Sequence, residues 1–245
     1  MPTTRGNMDQ SDSGVVSSEH LLPDPLPDEP WTIFKRWFDR AHAEKVQPNP
    51  NAMTLATVDD RGRPAARVVL CKGMDLASGH LVFYTNYRGR KGRELDARPV
   101  GAAVFHWDDL DKQARIEGPV SRSPAAESDA YFRSRPWISR VGAWASDQSE
   151  PVSGRPEMVA KLHATLRRFG LDPSNLPGPA DEVEIPRPPH WGGYRLYAER
   201  VELWCAGEGR LHDRAVWARG LKAAPGGEGP AFASAGAWRA TRIQP

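Results

Sequence analysis

The chain has 245 residues, enough for one large domain or two small ones, and its 39% hydrophobic content, nine Trp and seven Phe can fill a sizeable core. A net charge of +2 lacks the concentrated basic balance that nucleic acid requires, and no apolar run approaches the roughly 18 residues of a membrane span. Two distant cysteines, Cys71 and Cys205, argue against a disulfide framework. Seven His without metal-ligand spacing argue against a metal, and the polar stretch through His20 lacks a secretory apolar core; the expectation is a metal-free cytoplasmic protein.

Residues 1–27, rich in Ser, Asp and Pro, are expected to form a disordered leader before a single domain over residues 28–245. A helix is predicted from about Pro30 to Glu44. Pro30 suits its first turn, and Trp31, Phe34, Trp37, Phe38 and Ala41 recur at helical spacing as a core stripe. A β-rich block follows. Ala52 to Val58 and Ala66 to Cys71 form a hairpin pattern around the turn chemistry of residues 59–64, and Gly79 to Thr85 and Val100 to Trp107 make two more strands. Gly89 to Ala97 resembles a short helix. Gln113 to Ser121 is a fifth strand, interrupted at Gly118-Pro119. Helical pattern returns at Ala125 to Ser134 and Arg155 to Phe169, with a loop over Leu171 to Pro189. Strands are expected at Tyr194 to Trp204 and Ala215 to Arg219, a flexible loop at Ala223 to Gly236 and a terminal strand at Ala237 to Ile243. Closely spaced strands with few intervening helices predict a mainly β fold with flanking helices, a barrel or sandwich rather than a doubly wound sheet. No Gly-x-Gly-x-x-Gly follows a strand and no Walker-type loop is present, which removes support from nicotinamide and NTP binding.

Four basic clusters carry the chemistry. Arg67 to Lys72 sets two cations on opposite faces of an extended segment, as anion ligands or as guards of an edge strand. Tyr84 to Lys91 brings hydroxyls and cations to a helix start, which makes a phosphate site or a basic surface turn. Tyr131, Arg135 and Ser139, followed by Gln148 and Ser149, offer a second anion site. In Arg210-Leu211-His212-Asp213-Arg214, an extended backbone would put residues 210, 212 and 214 on one face, as an anion-binding surface or a solvated charged hairpin.

Taken in order, Arg67-x-Val-Leu-x-Lys72, Phe83-Tyr84-Thr85-Asn86, Arg90-Lys91, Gln113 and Tyr131-Phe-x-Ser-Arg135-Pro resemble the pyridoxine/pyridoxamine 5′-phosphate oxidases. Gly142-Ala-Trp-Ala-Ser-x-Gln148-Ser149, Pro188-Pro-x-Trp-Gly-Gly-Tyr194 and Arg210-Leu-His-Asp-Arg214 continue the resemblance, which spans roughly Trp31 to Pro245. It implies a homodimeric split β-barrel with FMN at the subunit interface. Arg67, Val68, Val69, Leu70, Cys71, Lys72, Tyr84, Thr85, Arg90 and Lys91 would then hold the flavin and its phosphate. Gln113, Gln148, Ser149, Trp204 and Arg214 would complete that site, some of them from the partner subunit. Lys72, Tyr131, Arg135 and Ser139 would grip a substrate phosphate, and Arg210 and His212 would be the catalytic pair over the pyridine ring. The implied reaction is oxidation of pyridoxamine or pyridoxine 5′-phosphate to pyridoxal 5′-phosphate, by hydride transfer from C4′ to flavin N5, with O2 reduced to hydrogen peroxide.

Two rivals share the scaffold. Phenazine-biosynthesis flavin oxidases act on reduced tricyclic intermediates without a substrate phosphate, and the quartet Lys72, Tyr131, Arg135 and Ser139 favours the B6 substrate over them. A non-enzymatic flavin-, haem- or B6-phosphate-binding split barrel is the other, and the Arg210/His212 pair speaks against it. Three features depart from the family pattern: an acidic, proline-rich leader in place of the basic segment that helps close over the substrate, and, bordering the implied substrate phosphate site, Cys71 where Leu is commoner and Trp137-Ile138 in a stretch usually more polar.

Overall fold

The computed structural model describes residues 21–178, 181–224 and 231–245. Among these the chain forms five α-helices and twelve strands, a mainly β split barrel with helices packed outside it. The first helix, α1 (Trp31–Ala43), buries Trp31, Ile33, Phe34, Trp37 and Ala41 in the barrel core, as its apolar spacing predicts. Phe34 lies 5.4 Å from Phe105, and Phe105 lies 5.4 Å from Trp107. The Trp107 indole donates to the Pro50 carbonyl at 2.8 Å, so the deepest aromatic keeps its polar atom satisfied.

Strands β1 (Ala52–Val58) and β2 (Pro64–Leu70) form the expected hairpin. They are followed by β3 (Gly73–Asp75), β4 (His80–Asn86) and helix α2 (Arg90–Ala97). Next come β5 (Val100–Trp107) and the long β6 (Lys112–Arg122). Helices α3 (Ala125–Ser134), α4 (Trp137–Ala145) and α5 (Arg155–Arg168) precede β7 (Trp191–Tyr197), β8 (Arg200–Cys205) and β9 (Asp213–Ala218). Strands β10 (Leu221–Ala224) and β11 (Ala231–Ser234) pair as a small separate sheet, and β12 (Arg239–Ile243) closes the chain. The main sheet runs β12-β9-β8-β6-β5-β1-β2, all antiparallel, while β6 also pairs with β7, and β7 with β4.

That double pairing splits the barrel. From Lys112 to Glu117 β6 pairs with β8, and from Val120 to Arg122 it pairs with β7. The change falls at Gly118, whose φ is +158°, and a Cβ there would sit 2.0 Å from the Tyr197 carbonyl oxygen. The expected interruption at Gly118-Pro119 is therefore a change of partner inside one continuous strand.

Four further expectations are corrected. Tyr194 to Trp204 is two strands, β7 and β8, because a bend at Ala198-Glu199 shifts the pairing with β6 by one residue. Part of the loop assigned to Ala223 to Gly236 is the β10–β11 pair; residues 225–230 lie outside the described set. Helix α4 was not expected at all. Lys72 lies beyond the end of β2, so it does not alternate with Arg67; its N–H bonds to the Val82 carbonyl at 2.8 Å, carrying the chain from β2 to β4.

Of the expected leader, residues 1–20 lie outside the described set. Residues 21–27 pack on the body. Leu22 is buried and its N–H donates to Asp213 at 2.9 Å, and the Trp217 indole donates to the Pro27 carbonyl at 2.8 Å. No described helix is long and apolar enough to cross a membrane.

Candidate active site

One end of the site is built where β1, β2, β4 and α2 meet. Gly92 lets α2 press against the preceding turn, since a Cβ there would lie 2.0 Å from the Tyr87 carbonyl oxygen. This close approach sets Arg90 and Lys91 at the start of α2, whose N-cap Gly89 provides no side-chain cap. The Lys91 ammonium donates to Thr85 Oγ1 at 3.0 Å and Gln148 Oε1 at 2.6 Å. Arg67 Nη2 meets Glu94 Oε2 at 2.9 Å, and Arg90 Nε meets Glu94 Oε1 at 2.8 Å. Glu94 is only 4% exposed. Burial pushes its carboxyl up, but hydrogen bonds from Thr57, Arg90 and Arg67 outweigh this and hold it below the usual carboxylate range. Lys91 is shifted down by burial first and by the Arg67 charge second. Guanidiniums, an ammonium, a hydroxyl and an uncapped helix start are the donor set that suits a phosphate.

Beside this cluster β2 presents Val68, 68% exposed, with Val69 and Leu70 half-buried. Cys71 is buried and its thiol is pushed up to about 11, which keeps it protonated and unreactive at neutral pH. Ser149 follows Gln148 in an exposed left-handed turn, φ 71°.

The second group lies where α3 ends and α4 begins. Pro136 prevents α3 from continuing, so Arg135 is extended and Ser139 falls in the first turn of α4. Tyr131 stacks on Tyr84 with ring centroids 3.9 Å apart, and Tyr84 stacks on Trp191 at 5.5 Å. The Arg135 guanidinium sits 4.7 Å over the Trp191 ring. Its Nη1 is buried without any hydrogen-bond partner. Burial shifts Arg135 down, and Arg140 adds to the shift while Tyr131 opposes it. Lys72 is exposed in the short link between β2 and β3, and its ammonium has no partner among the described residues.

A third group lies on the sheet extension. Gln113, Trp204 and Arg214 face one another across β6, β8 and β9 in one cross-strand row. Arg214 is held by Glu202, 3% exposed, which accepts its Nη2 at 2.7 Å and also pairs with Arg115. Of the two settings open to this cluster the chain takes the turn, so the face that an extended backbone would build does not form. Gly209 and Arg210 are left-handed, with φ of 59° and 66°, and β9 starts only at Asp213. A tight Gly-Glu-Gly-Arg turn needs such angles, so residues 210, 212 and 214 do not alternate along one strand. His212 is set otherwise. Its Nδ1 accepts from the Gly207 N–H at 3.2 Å, and its ring lies 4.7 Å from that of Trp204. With Nδ1 accepting, a neutral ring carries its proton on Nε2.

The fold thus brings together Arg67, Thr85, Arg90, Lys91 and Gln148, then Tyr84, Tyr131 and Arg135, then Gln113, Trp204, Arg214 and His212. Sequence reasoning missed the buried acids. Glu94 stands i,i+4 from Arg90, and Glu202 is the cross-strand partner of Arg115, spacings that mark ion pairs. Trp191 stands in the quoted Pro188-Pro-x-Trp-Gly-Gly-Tyr194 motif, but its place as the ring beneath Arg135 was not foreseen.

Among the described residues no group of three or more His, Cys, Asp or Glu is placed to hold a metal ion. Residues 38–167 match the family model described as pyridoxamine 5′-phosphate oxidase, and residues 191–245 match the pyridoxine 5′-phosphate oxidase C-terminal dimerisation region. A pyridoxine/pyridoxamine 5′-phosphate oxidase of Burkholderia lata is 44% identical over 217 residues, covering 89% of each chain. The crystal structure of PhzG from Burkholderia lata, in complex with tetrahydrophenazine-1-carboxylic acid, superposes with a TM-score of 0.75 at 28% identity over 95% of this chain and 98% of that one. A pyridoxamine 5′-phosphate oxidase-related, FMN-binding protein of Nostoc punctiforme shares the fold at a TM-score of 0.61 and 18% identity, over 89% of this chain and 98% of that one. The chain belongs to the pyridoxamine 5′-phosphate oxidase family, oxidases of the split-barrel fold whose cofactor is FMN.

Proposed function

We propose that the protein oxidises pyridoxamine 5′-phosphate or pyridoxine 5′-phosphate to pyridoxal 5′-phosphate, with oxygen as the final acceptor. FMN, when bound, supplies the acceptor for the hydride that leaves the substrate C4′. Arg67, Arg90, Lys91 and Thr85, with the start of α2, hold the flavin phosphate, and Gln148 braces Lys91. The segment from Val68 to Lys72 would hold the rest of the flavin.

The observation that carries the substrate reading is the Arg135 Nη1, a buried cationic donor with no protein partner beside the Tyr131 phenol. A buried guanidinium N–H left unpaired is costly, and a bound anion removes that cost. Lys72 and Ser139 join Arg135 and Tyr131 on the substrate phosphate. Arg210 and His212 orient the pyridine ring, with His212 presenting its Nε2 proton.

A homodimer completes the site. Counted through β1, β5 and β6, β8 lies four strands from β2 in the main sheet. Among the described residues no hydrogen bond or ion pair joins the row of Gln113, Trp204 and Arg214 to the phosphate cluster of its own protomer; Arg214 is held by Glu202 and the Gln244 carbonyl. The row serves the flavin of the partner, in keeping with a match to a dimerisation region over residues 191–245.

A second reading is a phenazine-type oxidase, favoured by the likeness to PhzG and by the buried Trp137 and 44%-exposed Ile138 beside Ser139. A carboxylate would also satisfy Arg135. Peroxide release from pyridoxamine phosphate, pyridoxine phosphate, unphosphorylated pyridoxamine and tetrahydrophenazine-1-carboxylic acid separates the readings. The B6 phosphates are expected to turn over fastest. Equal rates with pyridoxamine and its phosphate overturn the phosphate assignment, and a faster phenazine precursor installs the second reading.

A further inference from the structure

We propose that Glu94 is the positioning residue of the flavin-phosphate site, holding Arg67 and Arg90 in the one arrangement that selects a phosphorylated flavin. The inference rests on the reading of that cluster as the place of the FMN phosphate.

A buried carboxylate inside an anion site is at first sight a defect, because its charge repels the ligand. The geometry gives it a task. Each of its oxygens is engaged by a different guanidinium, Oε1 by Arg90 Nε at 2.8 Å and Oε2 by Arg67 Nη2 at 2.9 Å. Oε2 also accepts from the Thr57 hydroxyl, and that hydroxyl accepts from Arg67 Nη1. A hydroxyl has one proton to donate and lone pairs to accept, so this ring of contacts is closed and leaves Thr57 no freedom to turn. Turning the carboxylate breaks at least one arm of the fork. Arg67 comes from a strand and Arg90 from a helix start, and no other described side chain bonds to both. Arg67 is held through both terminal nitrogens, Nη1 by the Leu55 carbonyl and Thr57 and Nη2 by Glu94, whereas Arg90 is held through Nε alone. Arg90 Nη1 and Nη2 have no partner among the described residues, which leaves an edge for a ligand oxygen.

Charge leads to the same place. Arg67, Arg90 and Lys91 less Glu94 leave two positive charges, close to what a phosphate monoester carries at neutral pH, about −1.5 to −2. Long arginine side chains lose considerable rotamer freedom when they bind an anion. A fork that fixes them beforehand removes much of that loss, and the gain falls only on a ligand that has a phosphate.

The test is titration of the apoprotein with FMN and, separately, with riboflavin, followed by flavin fluorescence. Wild type is expected to bind FMN well above riboflavin. Glu94→Gln should lower FMN affinity by about tenfold or more, the loss typical of charge-assisted hydrogen bonds, and move riboflavin less than about twofold. Thr57→Val keeps the carboxylate and removes only the hydroxyl link; it should shift FMN the same way by a smaller factor, and it carries the test if Glu94→Gln does not fold. Unchanged or tighter FMN binding in both variants shows a carboxylate that merely opposes the anion, and overturns the proposal. Equal losses for FMN and riboflavin show general packing, and also overturn it. A wild-type protein that binds both flavins equally fails at the earlier step, the phosphate site itself, and removes the ground beneath Glu94.

Discussion

The two ends of the proposed site are built on opposite plans. At the phosphate end every cation rises from a regular element and has a side-chain partner: Arg67 from β2 and Arg90 from α2 meet the buried Glu94, and Lys91 from α2 meets Thr85 and Gln148. At the other end Arg210 sits in an exposed left-handed turn between β8 and β9, beside Leu211 at 77% exposure, and its guanidinium has no partner among the described residues. Preorganised groups on rigid elements suit a ligand that stays; a turn suits a ligand that comes and goes. The difference explains why the fold and cofactor class follow readily from this chain while the substrate is the harder question. The phosphate end can remain the same while the turn and the Trp137-Ile138 stretch are adjusted to another ring.

Arg210→Ala is the strongest way to break that comparison. If the turn serves turnover alone, peroxide release from pyridoxamine phosphate should fall by about 100-fold or more, the usual cost of removing a group that stabilises developing charge. FMN content after purification should stay that of wild type. A colourless Arg210→Ala protein would show that the turn holds the cofactor too, and the division into two ends would fail.

A smaller effect is expected at Arg135. Its Nη1 has no protein partner, so truncation to Ala strands no buried carboxylate, and the loss should appear as weaker substrate binding. The KM for the phosphorylated substrate should rise by about 10- to 100-fold with kcat nearly unchanged, as expected for one charge-assisted contact. The KM for unphosphorylated pyridoxamine should hardly move. Equal rises for both substrates would make Arg135 a packing residue against Trp191 rather than a phosphate ligand.

Legibility in the sequence follows the same division. Strands β1 and β5 keep the bounds their apolar runs predict, Ala52–Val58 and Val100–Trp107, because period-two burial and flanking turn residues are local signals. The cations of the phosphate end were visible because charge and hydroxyls gather at a helix start. Helix α4 was hidden. Trp-Ile-Ser-Arg-Val-Gly-Ala-Trp-Ala is only nine residues long and apolar on balance, too short a window for helical period to stand out, although Trp137 and Val141 pack into a second core with Phe132, Leu166 and Trp191. Pro136 at its N-cap was the available sign. At Arg210 the sequence pattern leaves a turn and a strand start both open, and backbone chirality at Gly209 and Arg210 decides for the turn. Glu94 was passed over for a different reason. Which face of an eight-residue basic helix turns inward depends on packing against β1, a contact between distant parts of the chain.

Acid stability gives the last and smallest contrast. The Glu94 carboxyl is held below its ordinary value in the fold, so the folded protein releases its proton more readily than the unfolded chain. Its contribution is then fully present above the unfolded carboxylate pKa, near 4.3, and is lost as pH falls through the lower folded value. Arg90 is half exposed, so its arm counts for little; the Arg67 and Thr57 contacts carry most of the effect. Urea unfolding of the apoprotein should find Glu94→Gln less stable than wild type by about 1–3 kcal/mol at pH 7, with the gap narrowing below about pH 4. Arg210, with no carboxylate in its grip, should show no such trend, and Arg210→Ala should unfold with a small difference from wild type that is the same at both pH values. A Glu94 gap that persists undiminished in acid would mean that the carboxylate charge does not hold the fork together, and the two ends would then differ in burial but not in electrostatic plan.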